Sequence, residues 1–282
     1  MEVIKNKAHM SAICSKSPRP LGLVPTMGFL HAGHLALITQ ARKENSTLAV
    51  SIFVNPTQFG PDEDYSSYPR DIEGDLALLD KRGADFVFIP TVAEMYPVGF
   101  TTAVEVNNLS NCFEGAHRPT HFPGVATAVT KLLNITRPNR AYFGQKDGQQ
   151  VAIMRRLCID LDMGVEIIVV PTVRDSDGLA MSSRNVYLTK GQRRAATAIY
   201  KALCYARDIW STGERNSEYL KNAVLLILAS EPKINAIDYV SVVNPTTLQM
   251  LDHVEDSAML LIAARIGKTR LIDNILLTSS FG

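Results

Sequence analysis

The chain has 282 residues, of which 46% are hydrophobic and 20% charged, with a formal net charge of +1. That size holds one large domain or two modest ones, and near-neutrality removes the bulk electrostatic case for a nucleic-acid partner. No apolar run approaches the ~18 residues of a membrane span, the N-terminus lacks an apolar signal core, and Cys14, Cys112, Cys158 and Cys204 form no CxxC pair; reduced thiols in a cytoplasmic protein are the expectation.

Leu21, Leu23 and Val24 read as a short buried strand, and Leu35, Leu37, Ile38 and Ala41 recur at helical spacing. Between them runs Pro25-Thr26-Met27-Gly28-Phe29-Leu30-His31-Ala32-Gly33-His34. A strand turning into a helix leaves backbone N–H groups and the positive end of the helix dipole facing any anion that docks. Gly28 and Gly33 allow close backbone approach, and two imidazoles can donate hydrogen bonds, so the motif points to a nucleotide site. Gly28 and Gly33 have the spacing of a Walker loop, but His34-Leu35 stands where Lys-Ser/Thr belongs. Zinc ligation by His31 and His34 lacks a neighbouring Cys or carboxylate to complete it. Two histidines that simply cap the helix remain an open alternative.

Residues 48–54 form a near-continuous apolar run, as in a parallel strand covered on both faces. The run leads into Asn55-Pro56-Thr57-Gln58-Phe59-Gly60, whose amides can bind hydroxyl or carboxylate groups without neutralising them; plain turn chemistry explains the same residues equally well. Residues 71–81 carry Leu76 and Leu79 at helical spacing, and 86–89 begin another strand. Glu114, Arg118 and His121 concentrate polar groups ahead of a helix over 124–136. A strand at 141–143 then leads into Gly144-Gln145-Lys146-Asp147-Gly148-Gln149-Gln150. Lys146 is a compact cation suited to phosphate; Asp147 can cap the following helix (149–161) or share magnesium. After a strand at 165–170 comes Asp175-Ser176-Asp177-Gly178-Leu179-Ala180-Met181-Ser182-Ser183-Arg184-Asn185. Its hydroxyls and arginine can wrap a polyphosphate, with Gly178 as a hinge; a solvated linker is the competing reading.

Alternating strands and helices predict an α/β fold, a Rossmann-like open parallel sheet with helices on both faces, and in such sheets ligands sit beyond the carboxyl ends of the strands. After Asn185 the texture changes. Helices over 190–211 and 217–230 precede strands over 236–243, 258–264 and 270–275 with no helix between them. That pattern predicts a smaller mixed α/β domain with an antiparallel sheet. The expected domains are 1–175 for nucleotide and acid substrate and 176–282 as a lid.

The segments PTMGFLHAGHLAL, SIFVNPTQFGPDEDYSSYPRD, FEGAHRPTHFPGVATAVTKLLNI, AYFGQKDGQQ and VPTVRDSDGLAMSSRNVYL, with LIDN near the C-terminus, resemble the pantothenate synthetase (pantoate–β-alanine ligase) family of nucleotidylyltransferase-like proteins with a HIGH-type signature. The resemblance implies ATP-dependent condensation of (R)-pantoate with β-alanine through pantoyl adenylate, releasing AMP and pyrophosphate. It also implies Mg2+ with the ATP and a homodimer, without nucleic-acid or membrane partners. By the same resemblance, Met27, Gly28, Phe29, Leu30, His31, Ala32, Gly33, His34, Gly144, Gln145, Lys146, Asp147, Val173, Met181, Ser182, Ser183 and Arg184 bind ATP. Gln58 and Gln150 bind pantoate, and Gln58 also lies near β-alanine. His31, His34, Lys146 and Arg184 form the implied catalytic set, with the Met181-to-Arg184 segment similar to a KMSKS-type loop; metal ligands are not assigned. Gly148 departs from the family pattern, where an aromatic is usual, and Thr120 and Pro123 depart more mildly. A cytidylyl- or adenylyltransferase of the same fold, and a non-catalytic nucleotide-binding module, are the alternatives.

Overall fold

The computed structural model describes residues 1–278. The chain opens with β1 (Glu2–Ile4), α1 (Lys7–Lys16), β2 (Leu21–Thr26), α2 (Ala32–Glu44) and β3 (Thr47–Ile52). It continues through α3 (Ile72–Lys81), β4 (Phe86–Phe88), α4 (Val92–Met95), α5 (Glu114–His117), α6 (His121–Thr136), β5 (Arg140–Gly144), α7 (Gly148–Asp160) and β6 (Glu166–Val170). The six strands form one sheet in the order β1-β4-β3-β2-β5-β6, parallel at every pairing.

The period of two in β3 sends Leu48, Val50 and Ile52 into one core with Val24, Leu37, Ile38, Leu79 and Val87, so α2 and α3 cover the same face. Strand progress from β2 to β4 runs one way across the sheet, and the step from β4 to β5 jumps back past β2. Right-handed crossovers therefore place α6 on the opposite face, where α1 packs against it. The order reverses between β2 and β5, the kind of position at which open α/β sheets bind ligands.

The second part contains α8 (Lys190–Ala195), α9 (Thr197–Ser211), α10 (Ser217–Ala229), β7 (Ile234–Val243), β8 (Ser257–Ile266) and β9 (Thr269–Thr278). The three strands make an antiparallel meander. Leu260, Ile262, Ala264 and Ile266 of β8 pack with Ile199, Leu203, Trp210, Leu220 and Val224 from the two long helices.

The fold class expected from the sequence is present in both parts. Two compact units are defined, one of Met1–Gly144 with Ile153–Pro171, the other of Gln145–Ala152 with Thr172–Gly282. A single cut at 175/176 does not describe this division, because Gln145–Ala152 leaves the sheet unit after β5. Residues 279–282 of the expected second domain lie outside the described residues.

Three local differences have physical reasons. α6 begins at His121 rather than 124, because a proline in the first turn removes no intrahelical bond. The helix expected over 190–211 is divided at Ala196, where the Ile199 N–H donates to the Ala196 carbonyl and tightens the turn to an i, i+3 pattern. The sequence reading missed β1 and α1; α1 buries only Met10 and Cys14, too few apolar positions to show a period.

Candidate active site

The turn after β2 is built on two consecutive residues of positive φ, Gly28 at 82° and Phe29 at 52°. A Cβ on Gly28 would stand 2.9 Å from both Asp75 Oδ2 and Ile52 Cγ2, so the glycine is required by space as well as by φ. Asp75, buried on α3, accepts the Phe29 N–H at 2.8 Å and the Leu30 N–H at 2.7 Å. This corrects one expectation, since these two amides are tied to a carboxylate of the chain itself rather than left to meet an anion. Burial pushes the Asp75 carboxyl above the ordinary range, and the two amide bonds work against that shift. The sequence reading missed Asp75. Its available signal was a carboxylate four residues before Leu79, on the core-facing stripe of a helix.

His31 is the N-cap of α2. Its Nδ1 accepts from the Gly33 N–H at 3.1 Å, and His34 Nδ1 accepts from the His31 N–H at 3.3 Å, a reciprocal capping box. The rings lie 4.1 Å apart between centroids. With both Nδ1 atoms accepting, the proton of each neutral imidazole resides on Nε2. Capping and donation to a ligand thus use different nitrogens, and the two readings of these histidines are compatible.

Gln58 closes a single 3-10 turn, Pro56–Gln58, capped by Asn55. The Asn55 amide donates to the Gly124 carbonyl at 3.0 Å and to Gln58 Oε1 at 3.2 Å, while its Oδ1 accepts from the Tyr96 hydroxyl at 2.8 Å. Gln58 Nε2 in turn reaches Met27 Sδ at 3.0 Å, joining the amide turn to the histidine motif. The Gln58 carbonyl accepts from His121 Nδ1 at 3.1 Å and from Arg118 Nη2 at 3.4 Å. Arg118 is held bidentate by Glu63 at 2.7 and 2.6 Å. Burial, then the Arg118 charge, pushes His121 down to about 4, so the ring is neutral at physiological pH. A Cβ on Gly124 would collide with the Thr57 carbonyl, so only glycine lets α6 come this close. The weak 114–122 signal therefore marks residues that hold Gln58; Tyr96 was missed.

In the second unit, Gln145–Asp147 form another 3-10 turn. Asn274 donates to the carbonyls of Gln145 and Lys146 at 2.8 and 2.9 Å and accepts from Gln145 Nε2 at 2.8 Å. Lys146 Nζ lies 3.3 Å from Asp147 Oδ1. A Cβ on Gly148 would stand 2.5 Å from Met259 Sδ, so a larger residue here requires the Met259 side chain to shift.

Val173 and Met181 are joined by a backbone bond of 3.0 Å, and Asp175 N–H donates to the Leu179 carbonyl at 2.9 Å, so residues 173–181 are a hairpin. Gly178 is its tip, at φ 94°, and a Cβ there would collide with Tyr200. It is a packed turn residue whose positive φ suits glycine. Arg193 pairs with Asp175 at 2.6 Å and Asp177 at 2.8 Å. Ser182 caps the turn that carries Ser183 and Arg184 by accepting the Arg184 N–H at 3.3 Å. Residues 27–34, Gln58 and Gly144 thus belong to the sheet unit, whereas Gln145, Lys146, Asp147, Gln150, Val173 and residues 181–184 belong to the second.

A parallel sheet whose order reverses at β2/β5, with a histidine-capped helix following β2, defines a Rossmann-type α/β protein. The family model described as Pantoate-beta-alanine ligase matches residues 2–276. The chain is 53% identical over 277 residues to the pantothenate synthetase of Roseiflexus castenholzii, covering 98% of this chain and 99% of that one. The crystal structure of pantothenate synthetase from Thermus thermophilus superposes with a TM-score of 0.93 at 46% identity, covering 98% and 99% of the two chains. Pantoate-beta-alanine ligase from Francisella tularensis, complexed with beta-gamma ATP and beta-alanine, gives a TM-score of 0.81 at 36% identity over 98% of each chain. The chain belongs to the pantoate–β-alanine ligase family and is a ligase of the pantothenate-forming reaction.

Proposed function

We propose that the chain condenses (R)-pantoate with β-alanine in two steps. A pantoate carboxylate oxygen attacks the α-phosphorus of ATP, the bond to the bridging oxygen breaks, and pyrophosphate leaves with pantoyl adenylate formed. The β-alanine nitrogen then attacks the acyl carbon, AMP departs with the bonding pair, and the amine releases a proton to give pantothenate. Neither step needs a protein nucleophile. What the protein supplies is positioning and charge stabilisation.

Residues 27–34, Gly144 to Asp147, Val173 and residues 181–184 take ATP in this reading. The Nε2–H groups of His31 and His34 donate to its phosphates, and Lys146 and Arg184 offset charge that develops as pyrophosphate leaves. Gln58 and Gln150 receive pantoate, with Gln58 also beside β-alanine. Magnesium enters as the MgATP substrate. It takes phosphate and water oxygens with one or two carboxylates, and Asp147, 45% exposed next to Lys146, is the carboxylate of its segment suited to share it. The same reading has a homodimer in the cytoplasm, a compartment that suits cysteines held as reduced thiols.

The observation that carries this reading is the reciprocal His31–His34 cap at the end of β2, which fixes two donors on one helix terminus in a chain of this family. Pyrophosphate release, measured with each substrate omitted in turn, tests it. Release that needs both ATP and pantoate is expected; release at full rate without pantoate removes the assignment.

A further inference from the structure

Asp273 and Asn274 are consecutive residues of β9, so their side chains leave opposite faces of the antiparallel sheet. Both are almost fully buried, at 4% and 2% exposed. They pair with Ile262 and Leu261 in the middle of β8. The reaction as derived above uses neither. We infer that the two are positioning residues: they fix Lys146 and the 181–184 turn, through one strand, in a single relation to each other. This rests on the reading that both segments bind ATP.

The residue types fit the task. The Asn274 amide spends both N–H donors on the Gln145 and Lys146 carbonyls and its oxygen on Gln145 Nε2. No other side chain of that size offers two donors and an acceptor in one plane. Asp273 receives the Arg174 fork at 2.5 and 3.0 Å. Arg174 Nη1 also donates to the Gly178 carbonyl at 3.2 Å, and its guanidinium lies 3.8 Å from the Tyr200 ring centroid. The Arg174 backbone bridges Ala180, the residue before Met181. Asp273 therefore holds the base of the hairpin that delivers Ser182 to Arg184, and Asn274 holds the turn that delivers Lys146.

The test uses full-length Asn274→Ala and Arg174→Lys; lysine keeps the charge but cannot reproduce the fork. Amide hydrogen exchange reads the clamp without any substrate, and pantoate-dependent exchange of labelled pyrophosphate into ATP reads the adenylation half-reaction. Asn274→Ala should lose protection over 146–149 and slow adenylation roughly tenfold to hundredfold, the scale of a small misplacement of a reacting group. In a Lys146→Ala background the same substitution should add little, because it acts through Lys146. Arg174→Lys should likewise add little to Arg184→Ala. Unchanged protection overturns the clamp, and effects that multiply independently in both double variants overturn the positioning role. Wild-type protein without pantoate-dependent exchange overturns the ATP reading itself, an outcome distinct from either.

Discussion

The Asp75 carboxylate meets the Leu30 N–H at 2.7 Å across 45 positions of sequence, and this contact freezes the turn that orients both histidines. The second oxygen takes the Phe29 N–H. An asparagine can accept only one of the two bonds and turns an NH2 group against the other donor. Asp75→Asn should therefore lose about 2–4 kcal/mol of stability, the scale of breaking buried hydrogen bonds to a charged group. Urea unfolding reads this directly. A midpoint within error of wild type would show that the turn stands without Asp75.

His34 takes part in the helix cap, and in the proposed reaction it also donates to the ATP phosphates; two substitutions separate these roles. His34→Ala removes the acceptor for the His31 N–H, which costs on the order of 1 kcal/mol of helix stability. It should also reduce adenylation by roughly two to three orders of magnitude, as when one preorganised donor is deleted. His34→Asn can restore the cap through its side-chain oxygen without restoring an Nε2–H donor. Recovery of thermal stability but not of turnover is the expected pattern. Recovery of both would leave His34 as a cap alone.

The strand–helix alternation was legible because β3 and α6 bury continuous or strongly periodic apolar residues, such as Leu48, Val50, Leu132 and Leu133. The site was legible only where chemistry sits in one stretch of chain, as in residues 27–34. Asp75, Tyr96 and Asn274 act on segments 41 to 129 positions away, and neither periodicity nor local spacing encodes such contacts. The 145–152 segment shows the same limit. Its helix was evident, but its membership of the second unit depends on β9, which lies more than a hundred residues further on.

Gln58 and Gln150 carry the pantoate assignment, and their environments differ. Gln58 is fixed from both ends, its amide by Asn55 and Met27 and its carbonyl by Arg118 and His121. Gln58→Ala should raise the pantoate KM by roughly one to two orders of magnitude, because a ligand's polar groups left unpaired cost about 1–3 kcal/mol. The ATP KM should change little. Gln150→Ala should act in the same direction. Equal weakening of ATP and pantoate in calorimetry would remove both residues from the pantoate site.

Arg184 lies within the turn capped by Ser182, a setting that presents a cation without burying it deeply. Such a group contributes most once charge develops on the departing pyrophosphate. Arg184→Ala should slow single-turnover adenylate formation about a hundredfold while ATP affinity falls only a few-fold. An unchanged single-turnover rate would reduce the 181–184 segment to a structural connection.

His121 gives the fold a defined dependence on pH. Burial, reinforced by Arg118, lowers it from the ordinary 6.5 to about 4, against the opposing pull of its bond to the Gln58 carbonyl and of Glu114 and Glu63. Between those values the unfolded chain binds a proton at this position and the folded chain does not, so stability rises with pH across the window. The histidine's contribution is complete above about 6.5 and is lost progressively as pH falls towards 4. A shift of this size corresponds to roughly 3.5 kcal/mol at most, at about 1.4 kcal/mol per pH unit. Urea midpoints for wild type and His121→Gln, measured from about pH 4 to 7, isolate the effect from the many carboxylates that titrate in the same range. The glutamine can keep the donor to the Gln58 carbonyl but has no proton to bind. Its stability should therefore fall less steeply on acidification, by close to one proton's worth of slope. Parallel curves for the two proteins would mean that His121 takes up its proton in the folded state as readily as in the unfolded one, and the lowering of its pKa by burial would have to be abandoned.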